Sequence, residues 1–292
     1  MLRKNIEMKT IAGQGWGKTA QVLLPGGPTY YGFHLDTRVP DGSGGFTFLK
    51  PEDFRVIIAD GGYSRVEVDG TDLQMVTDFN KRYRIDGIYN IDLAGMIFSK
   101  TIDGDLIAGM ETSPTGNYVF KVQVNKTDAL GATPAFDLSG FAKVSENLTG
   151  RVGDALAYYL PRIRKTVLDI GKVGQNTITN FLDESDFSLM AAHIKDEGII
   201  SRVTIRQGNG STRMQKVWDR TADLNNLILQ EENKAPQADY FHIDHCETGY
   251  TMMEKLELAG LQTELEITST ASGKIECLLY TLERVEVRPA VA

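Results

Sequence analysis

The chain has 292 residues, 41% of them hydrophobic, and a formal net charge of -8. That is enough for one large or two ordinary domains, and the acidic balance argues against a main partner that presents a nucleic-acid backbone, which requires a cationic surface. No run of about 18 apolar residues is present to cross a membrane as a helix, and Cys246 and Cys277 are too few for a disulfide framework and read as buried small residues.

Met1-Leu2-Arg3-Lys4-Asn5 lacks the apolar core of a secretory signal, so none is expected. Residues 1–19, with Arg3, Lys4, Lys9 and Lys18, read as an arm. Thr19–Leu24 is a short strand stopped by Pro25-Gly-Gly-Pro28, and Thr29–Asp36 resumes as a strand rich in aromatics. A loop at Asp41–Gly45 precedes Phe54–Ile58 and Arg65–Asp69, which flank Asp60-Gly-Gly62 as a hairpin. Ser64-Arg-Val-Glu-Val-Asp69 alternates with period two; Thr71…Gln74 then offers a capping box to a helix carrying Met75, Val76, Phe79 and Tyr83. Ile88–Leu93, Met96–Phe98, Val119–Val124 and Phe136–Val144 read as further strands, with a turn at Asp103-Gly104.

Leu156–Leu168 is either an extended linker or an entry strand, and the earlier elements then return. Asn176–Leu182 and Phe187–Lys195 repeat the first pair of strands, with Leu189-Met-Ala-Ala-His193 resembling Tyr30-Tyr-Gly-Phe-His34. Ser201-Arg-Val-Thr-Ile-Arg206 repeats the Ser64 phrase, and Thr212…Gln215 repeats its capping box before Met214, Val217, Trp218 and Thr221. Tyr240-Phe-His-Ile-Asp244 echoes Ile88-Tyr-Asn-Ile-Asp92, and Thr263–Thr268 and Ile275–Val287 close the chain. The offset drifts from 137 between Val66 and Val203 to 159 between His34 and His193 while the order of elements persists. A solenoid keeps a fixed short period; two copies of one domain with differing loops do not.

About eight short strands and one helix per half, with Gly/Pro-rich turns, predict an all-β chain with a few short helices: two tandem eight-stranded β-sandwiches of jelly-roll type. The expected division is 1–148 for the arm and first sandwich, and 149–292 for a linker and the second.

The motifs that carry chemistry are weak. Ala12-Gly-Gln-Gly-Trp-Gly17-Lys18-Thr19 fits a permissive phosphate loop, but the strand before it and helix after it are missing, since Pro25 follows closely. His242-Ile-Asp-His245-Cys-Glu247 looks like a metal cluster, yet a strand places His242 and Asp244 on one face and His245 and Glu247 on the other, short of the three or four protein ligands zinc takes. His34 and His193 hold matching places in the repeats, a structural pattern. Asp103-Gly-Asp105 is compatible with a structural divalent cation such as calcium, although EF-hand spacing is missing. Met214, Val217, Trp218, Leu224 and Ile228 read as the buried stripe of the second helix. No catalytic, cofactor-binding or metal-binding residue is assigned, and no cofactor is required.

Two duplicated sandwiches with a helix between strands and no catalytic constellation resemble the double jelly-roll major capsid proteins of tailless, internal-membrane icosahedral bacteriophages of the corticovirus type, in the tectivirus and adenovirus hexon lineage. The carrying stretches are Val22–Tyr30, Arg65–Gly70, Ala191–Lys195 with Glu197-Gly198, Leu224–Glu231 and Tyr240–Asp244, in order from about residue 13 to 285. The resemblance implies a non-enzymatic virion coat protein: a homotrimer whose six jelly rolls form a pseudo-hexagonal tile of an icosahedral shell over an internal membrane. It also implies trimer–trimer contacts, penton or vertex partners, minor capsid or membrane proteins, and assembly in a bacterial cytoplasm. Within the trimer the buried surface is expected in the obligate range, on the order of 2,000–5,000 Å². The Arg3, Lys4, Lys9 arm suits anionic lipid headgroups, without direct nucleic-acid contact. Two other readings stay open on the sequence: a bicupin-type metal enzyme built on His242, Asp244 and His245, and a carbohydrate-binding spike using Trp16, Tyr30 and Tyr31.

Overall fold

A computed structural model describes residues 4–93, 109–112, 116–126, 130–145, 158–183, 186–209, 213–248, 254–258 and 260–285. The chain separates into two compact units, one of residues 1–78, 82–161 and 285–292, the other of 79–81 and 162–284. The expected boundary at 148/149 lies outside the described residues, as do Met96–Phe98, Asp103–Asp105 and Thr212.

The first half contributes β1 (Lys4–Glu7), β2 (Thr19–Leu24), β3 (Thr29–Asp36), β4 (Phe54–Asp60), β5 (Tyr63–Asp69), helix α1 (Gly70–Phe79), β6 (Ile88–Asp92), β7 (Tyr118–Val124) and β8 (Ser139–Ser145). The second contributes β9 (Tyr158–Ile170), β10 (Gly174–Ile178), β11 (Asp186–Lys195), β12 (Ile200–Gly208), β13 (Gln215–Thr221), helix α2 (Ala222–Glu231), β14 (Tyr240–Asp244), β15 (Gln262–Ser269) and β16 (Gly273–Val285). Strands of the first half hydrogen-bond in the orders β1-β8-β3-β6 and β2-β7-β4-β5. Those of the second follow β9-β16-β11-β14 and β10-β15-β12-β13, the same two orders with each number advanced by eight. This strand order is that of a jelly roll, made twice.

The core strands form where side chains can alternate between a facing sheet and the outside. β2 and β7 show this directly: Ala20, Val22, Leu24, Phe120, Val122 and Val124 are buried while their neighbours are not. Rings tie the two sheets of the first unit together, Phe33 of β3 lying 5.2 Å from Phe120 of β7. In the second unit Leu168, Ala192, Ile194, Val203, Ile205, Ile243, Leu265, Ile267 and Leu279 form the same kind of core. Gly61 and Gly62, at φ 55° and 103°, make the β4–β5 turn with both central residues left-handed, the type I′ signature.

The repeat is real, but its phase differs from the sequence expectation. Ser201–Arg206 lies in β12, which corresponds to β4; the counterpart of Ser64–Asp69 is β13. From Tyr63 to Asp92 the two halves run in step at one constant offset: β5, α1 and β6 begin at 63, 70 and 88, and β13, α2 and β14 at 215, 222 and 240. Any half-buried strand carries the same alternation, so two neighbouring strands are easily exchanged in such a comparison. Both predicted capping boxes shift accordingly. The Asp72 carboxylate reaches back to the Asp69 amide at 3.0 Å, so α1 starts before Thr71. Gln215–Thr221 is a strand, and Thr221 Oγ1 caps α2 by accepting from Leu224 N. Residues 214–221 have helical spacing, but pairing with β12, Ile205 opposite Trp218, overrides it. Leu224 is exposed, and Asn225 and Leu229 are the buried residues of α2; Tyr83, expected on the α1 stripe, is 84% exposed. The expected arm is also partly ordered, Lys4–Glu7 pairing with β8. Leu156–Leu168 resolves as a strand in β9 from Tyr158.

Two substitutions test the register. Val66 and Val203 are fully buried, on β5 and β12, so Val66→Asp or Val203→Asp strands a charge in a core and should remove soluble folded protein. Gly70→Ala places a methyl group 2.5 Å from the Pro51 carbonyl and the Phe54 ring; thermal unfolding should show a loss of about 1–3 kcal/mol. Normal melting of either aspartate variant would overturn the assignment of facing sides.

Candidate functional site

The polar residues that the fold gathers lie on the outward face of the first-named sheet in each unit. β3 and β6 are antiparallel with His34 opposite Asn90; β11 and β14 are antiparallel with His193 opposite His242. The register agrees over five pairs, Gly32–Asp92 to Asp36–Ile88 in one and Ala191–Asp244 to Lys195–Tyr240 in the other. In the first unit His34 Nδ1 donates to Asn90 Oδ1 at 2.5 Å, because an amide oxygen only accepts. This pair is half-exposed in a cleft of about 140 Å³ lined with Arg82, Tyr83, Asp92 and Lys143. Burial lowers the His34 pKa, with the Asn90 hydrogen bond opposing and Lys143 assisting.

In the second unit the same pair is covered. His193 and His242 are 1% and 0% exposed, and their Nδ1 atoms are 2.8 Å apart. His242 Nε2 accepts from the Gln237 amide at 3.3 Å, so His242 carries its proton on Nδ1 and donates to His193. His193 is therefore protonated on Nε2, which has no hydrogen-bond partner among the described residues. The ring of Phe79 stacks on His242 with centroids 4.3 Å apart and meets His193 edge-on at 5.2 Å. Lys234 Nζ donates to Asn80 Oδ1 at 2.8 Å, lies 3.3 Å from Asp244 Oδ2 and sits over the Phe79 ring. Burial drives the His193 pKa down to about 3, with the positive charge of Lys234 adding to it, and burial also holds His242 well below the ordinary histidine value. Asp244 is raised by burial against the pull of Lys234.

Among the described residues this geometry lends the metal reading no support. The lone pairs of the two imidazoles are committed within the pair or to Gln237, and Asp244 serves Lys234 and the Cys246 amide. His245 points elsewhere, its ring 6.2 Å from Trp218, and Glu247 holds Arg220 through two hydrogen bonds of 2.7 and 2.8 Å. Among the described residues no three His, Cys, Asp or Glu side chains are placed to share an ion. The phosphate-loop pattern closes a turn: Ala12 bridges to Gln21, and Thr19 begins a strand where a helix would be needed. Of the aromatics that a carbohydrate groove would need, Tyr30 and Tyr31 are interior and Trp16 is half-buried. Tyr30 and Tyr31 are 0% and 3% exposed, with hydroxyls bound to the Pro25 carbonyl and Ser145, and Trp16 packs edge-on against Phe136. Sequence reasoning placed His34 and His193 in matching positions but missed their partners, Asn90 and His242. The echo between Ile88–Asp92 and Tyr240–Asp244 was the available signal.

The buried pair has a pH consequence. Both histidines titrate near 6.5 in the unfolded chain and well below it when folded, so the unfolded state binds more protons as pH falls. Their contribution is complete above about pH 6.5 and is lost on descent toward about 3. Thermal unfolding followed from pH 7.5 to 4 should show a falling midpoint. His242→Asn, which copies the His34–Asn90 pair, should make that fall shallower; an unchanged slope would show that the pair does not control it.

A family model described as the viral coat protein P2 N-terminal domain matches residues 5–145, and one described as the viral coat protein P2 C-terminal domain matches residues 160–285. Among solved structures the chain is similar to the major capsid protein P2 of bacteriophage PM2, with 18% identity over 99% of both chains and a TM-score of 0.77. It is also similar to the major capsid protein of STIV, the Sulfolobus turreted icosahedral virus (11% identity, 100% of both chains, TM-score 0.65). The PBCV-1 virus capsid follows (9% identity, 96% of this chain and 93% of that one, TM-score 0.56). At such identities the likeness is one of fold. A search of curated protein sequences finds no match.

Proposed function

This chain belongs to the viral coat protein P2 family and is a viral major capsid protein, a structural component and not an enzyme; from that premise we propose that three copies assemble into a pseudo-hexagonal tile of an icosahedral shell. The observation that supports this most is the duplicated strand order, β1 to β8 against β9 to β16. Three chains with two jelly rolls each present six similar bodies around a threefold axis, and closed cyclic symmetry then limits growth within the tile. Weaker contacts repeated between tiles extend the sheet of the shell. Penton or vertex proteins and minor capsid or membrane proteins would complete it, and assembly would take place in a bacterial cytoplasm.

An internal membrane beneath the shell fits the charge. An acidic coat need not meet nucleic acid if lipid lies between them, and exposed Lys4 and Lys9 near the start of the chain suit anionic headgroups. Lys4–Glu7 pairs as an edge strand with β8, which ties this part of the arm to the first unit. No cofactor enters this reading.

Native mass spectrometry at micromolar concentration should give trimers, and electron microscopy of the expressed protein or particle should show hexagonal tiles. A strictly monomeric protein would count decisively against the assembly.

A further inference from the structure

We infer that the open His34–Asn90 face of the first unit is covered, in the assembled protein, by residues 231–233 of a second copy, with Glu232 meeting Arg82. This rests on the coat-protein reading above and deepens it by naming the surface.

The argument starts from two faces of identical register and opposite exposure. On β8 and β6 the outward residues are Phe141, 46% exposed, and the half-exposed Lys143 and Asn90; the equivalent residues on β16 and β14 are Leu278, Tyr280 and His242, at 2%, 3% and 0%. The second face is dry because residues 79–81, which cluster with that unit, lie on it. These residues follow the last turn of α1 and touch three partners in succession. The Ala235 amide donates to the Phe79 carbonyl at 2.7 Å, Lys234 Nζ donates to Asn80 Oδ1, and Lys81 Nζ donates to Asn233 Oδ1 at 3.2 Å.

The segment after α2 has the same shape. Lys81 and Asn233 both take left-handed conformations, φ 50° and 61°, two residues beyond their helices. Arg82 N donates to Thr77 O at 3.0 Å as Lys234 N donates to Leu229 O at 2.8 Å. Position by position, Glu231 stands for Phe79, Glu232 for Asn80, Arg82 for Lys234 and Tyr83 for Ala235. Applied to the open face, the first two contacts become a Tyr83 amide with a Glu231 carbonyl and Arg82 with Glu232, while the third pair, Lys81 and Asn233, maps onto itself and is already joined within each chain. The charges suit this exchange. Arg82 and Lys143 border the cleft, while the exposed Glu231 and the half-exposed Glu232 lie on the segment that would enter it. The occupant is a second copy because the complementary segment is one this chain carries, and the contact is head-to-tail, closing only as a ring.

Arg82→Glu and Glu232→Arg should each raise the midpoint concentration of assembly about tenfold, and the double variant should return it toward wild type. Circular dichroism should show all three folded. A mixture of Tyr83→Cys and Glu231→Cys chains should form a disulfide-linked dimer under oxidising conditions that neither chain forms alone; Cys246 and Cys277 are buried and leave this readout clean. If wild type assembles while both single reversals assemble equally well and no mixed dimer forms, this surface is wrong and the coat-protein reading stands. A wild type that remains monomeric overturns both.

Discussion

The structure of each unit depends on one constraint: two sheets must bury their facing sides against each other. The alternation that satisfies it, Phe33 and Leu35 inward on β3, Ala192 and Ile194 inward on β11, leaves no freedom of register, since a slip of one residue would turn every buried side chain to the outside. The outward positions are then determined as well. His34 must lie opposite Asn90, and His193 opposite His242. The polar pair is a by-product of core packing, which is why both halves have it although their residues differ.

Much of this was legible in the sequence because alternation is a local signal. Val22, Leu24, Val122 and Val124 announce their strands, and Gly61-Gly62 announces its turn by chemistry that only a left-handed pair requires. The order of strands survived loop drift, so the fold class could be reached. The phase of the repeat could not. β13 has no alternating burial, being exposed or intermediate throughout, and Met214, Val217, Trp218 and Thr221 have helical spacing by accident of composition. Only the ladder to β12 decides that segment, and a ladder is a long-range fact. The same limit hid the histidine pair, whose members are 49 positions apart and meet through β11–β14 register alone.

Once the phase is right, the two halves compare one geometry in two solvents. At the wet face the chain keeps Asn90, Lys143 and Arg82; at the dry face the corresponding residues are His242, Tyr280 and Lys234. A lysine at the place of Tyr280 would be desolvated beside His193, at a cost of several kcal/mol without a paired anion. Lys234, a cation retained there, is held by Asp244, Asn80 and the face of Phe79. The neutral histidines follow from the same dryness, since a charged imidazole beside Lys234 would be opposed both by desolvation and by charge.

This contrast bears on how one chain can carry both a face covered during its own folding and a face open to water. A face that becomes covered as its own chain folds can be apolar from the start, as Phe79, Tyr280 and Leu278 are. A face that waits for another molecule must tolerate water first, so its residues have to be polar enough to stay dispersed and complementary enough to be recognised. Arg82 and Lys143 on one surface, and Glu231 and Glu232 on the segment that matches it, satisfy both requirements at once. Under the contact proposed above, the duplication supplies its geometry, and the divergence of the copies distinguishes the face covered within a chain from the face offered to a neighbour.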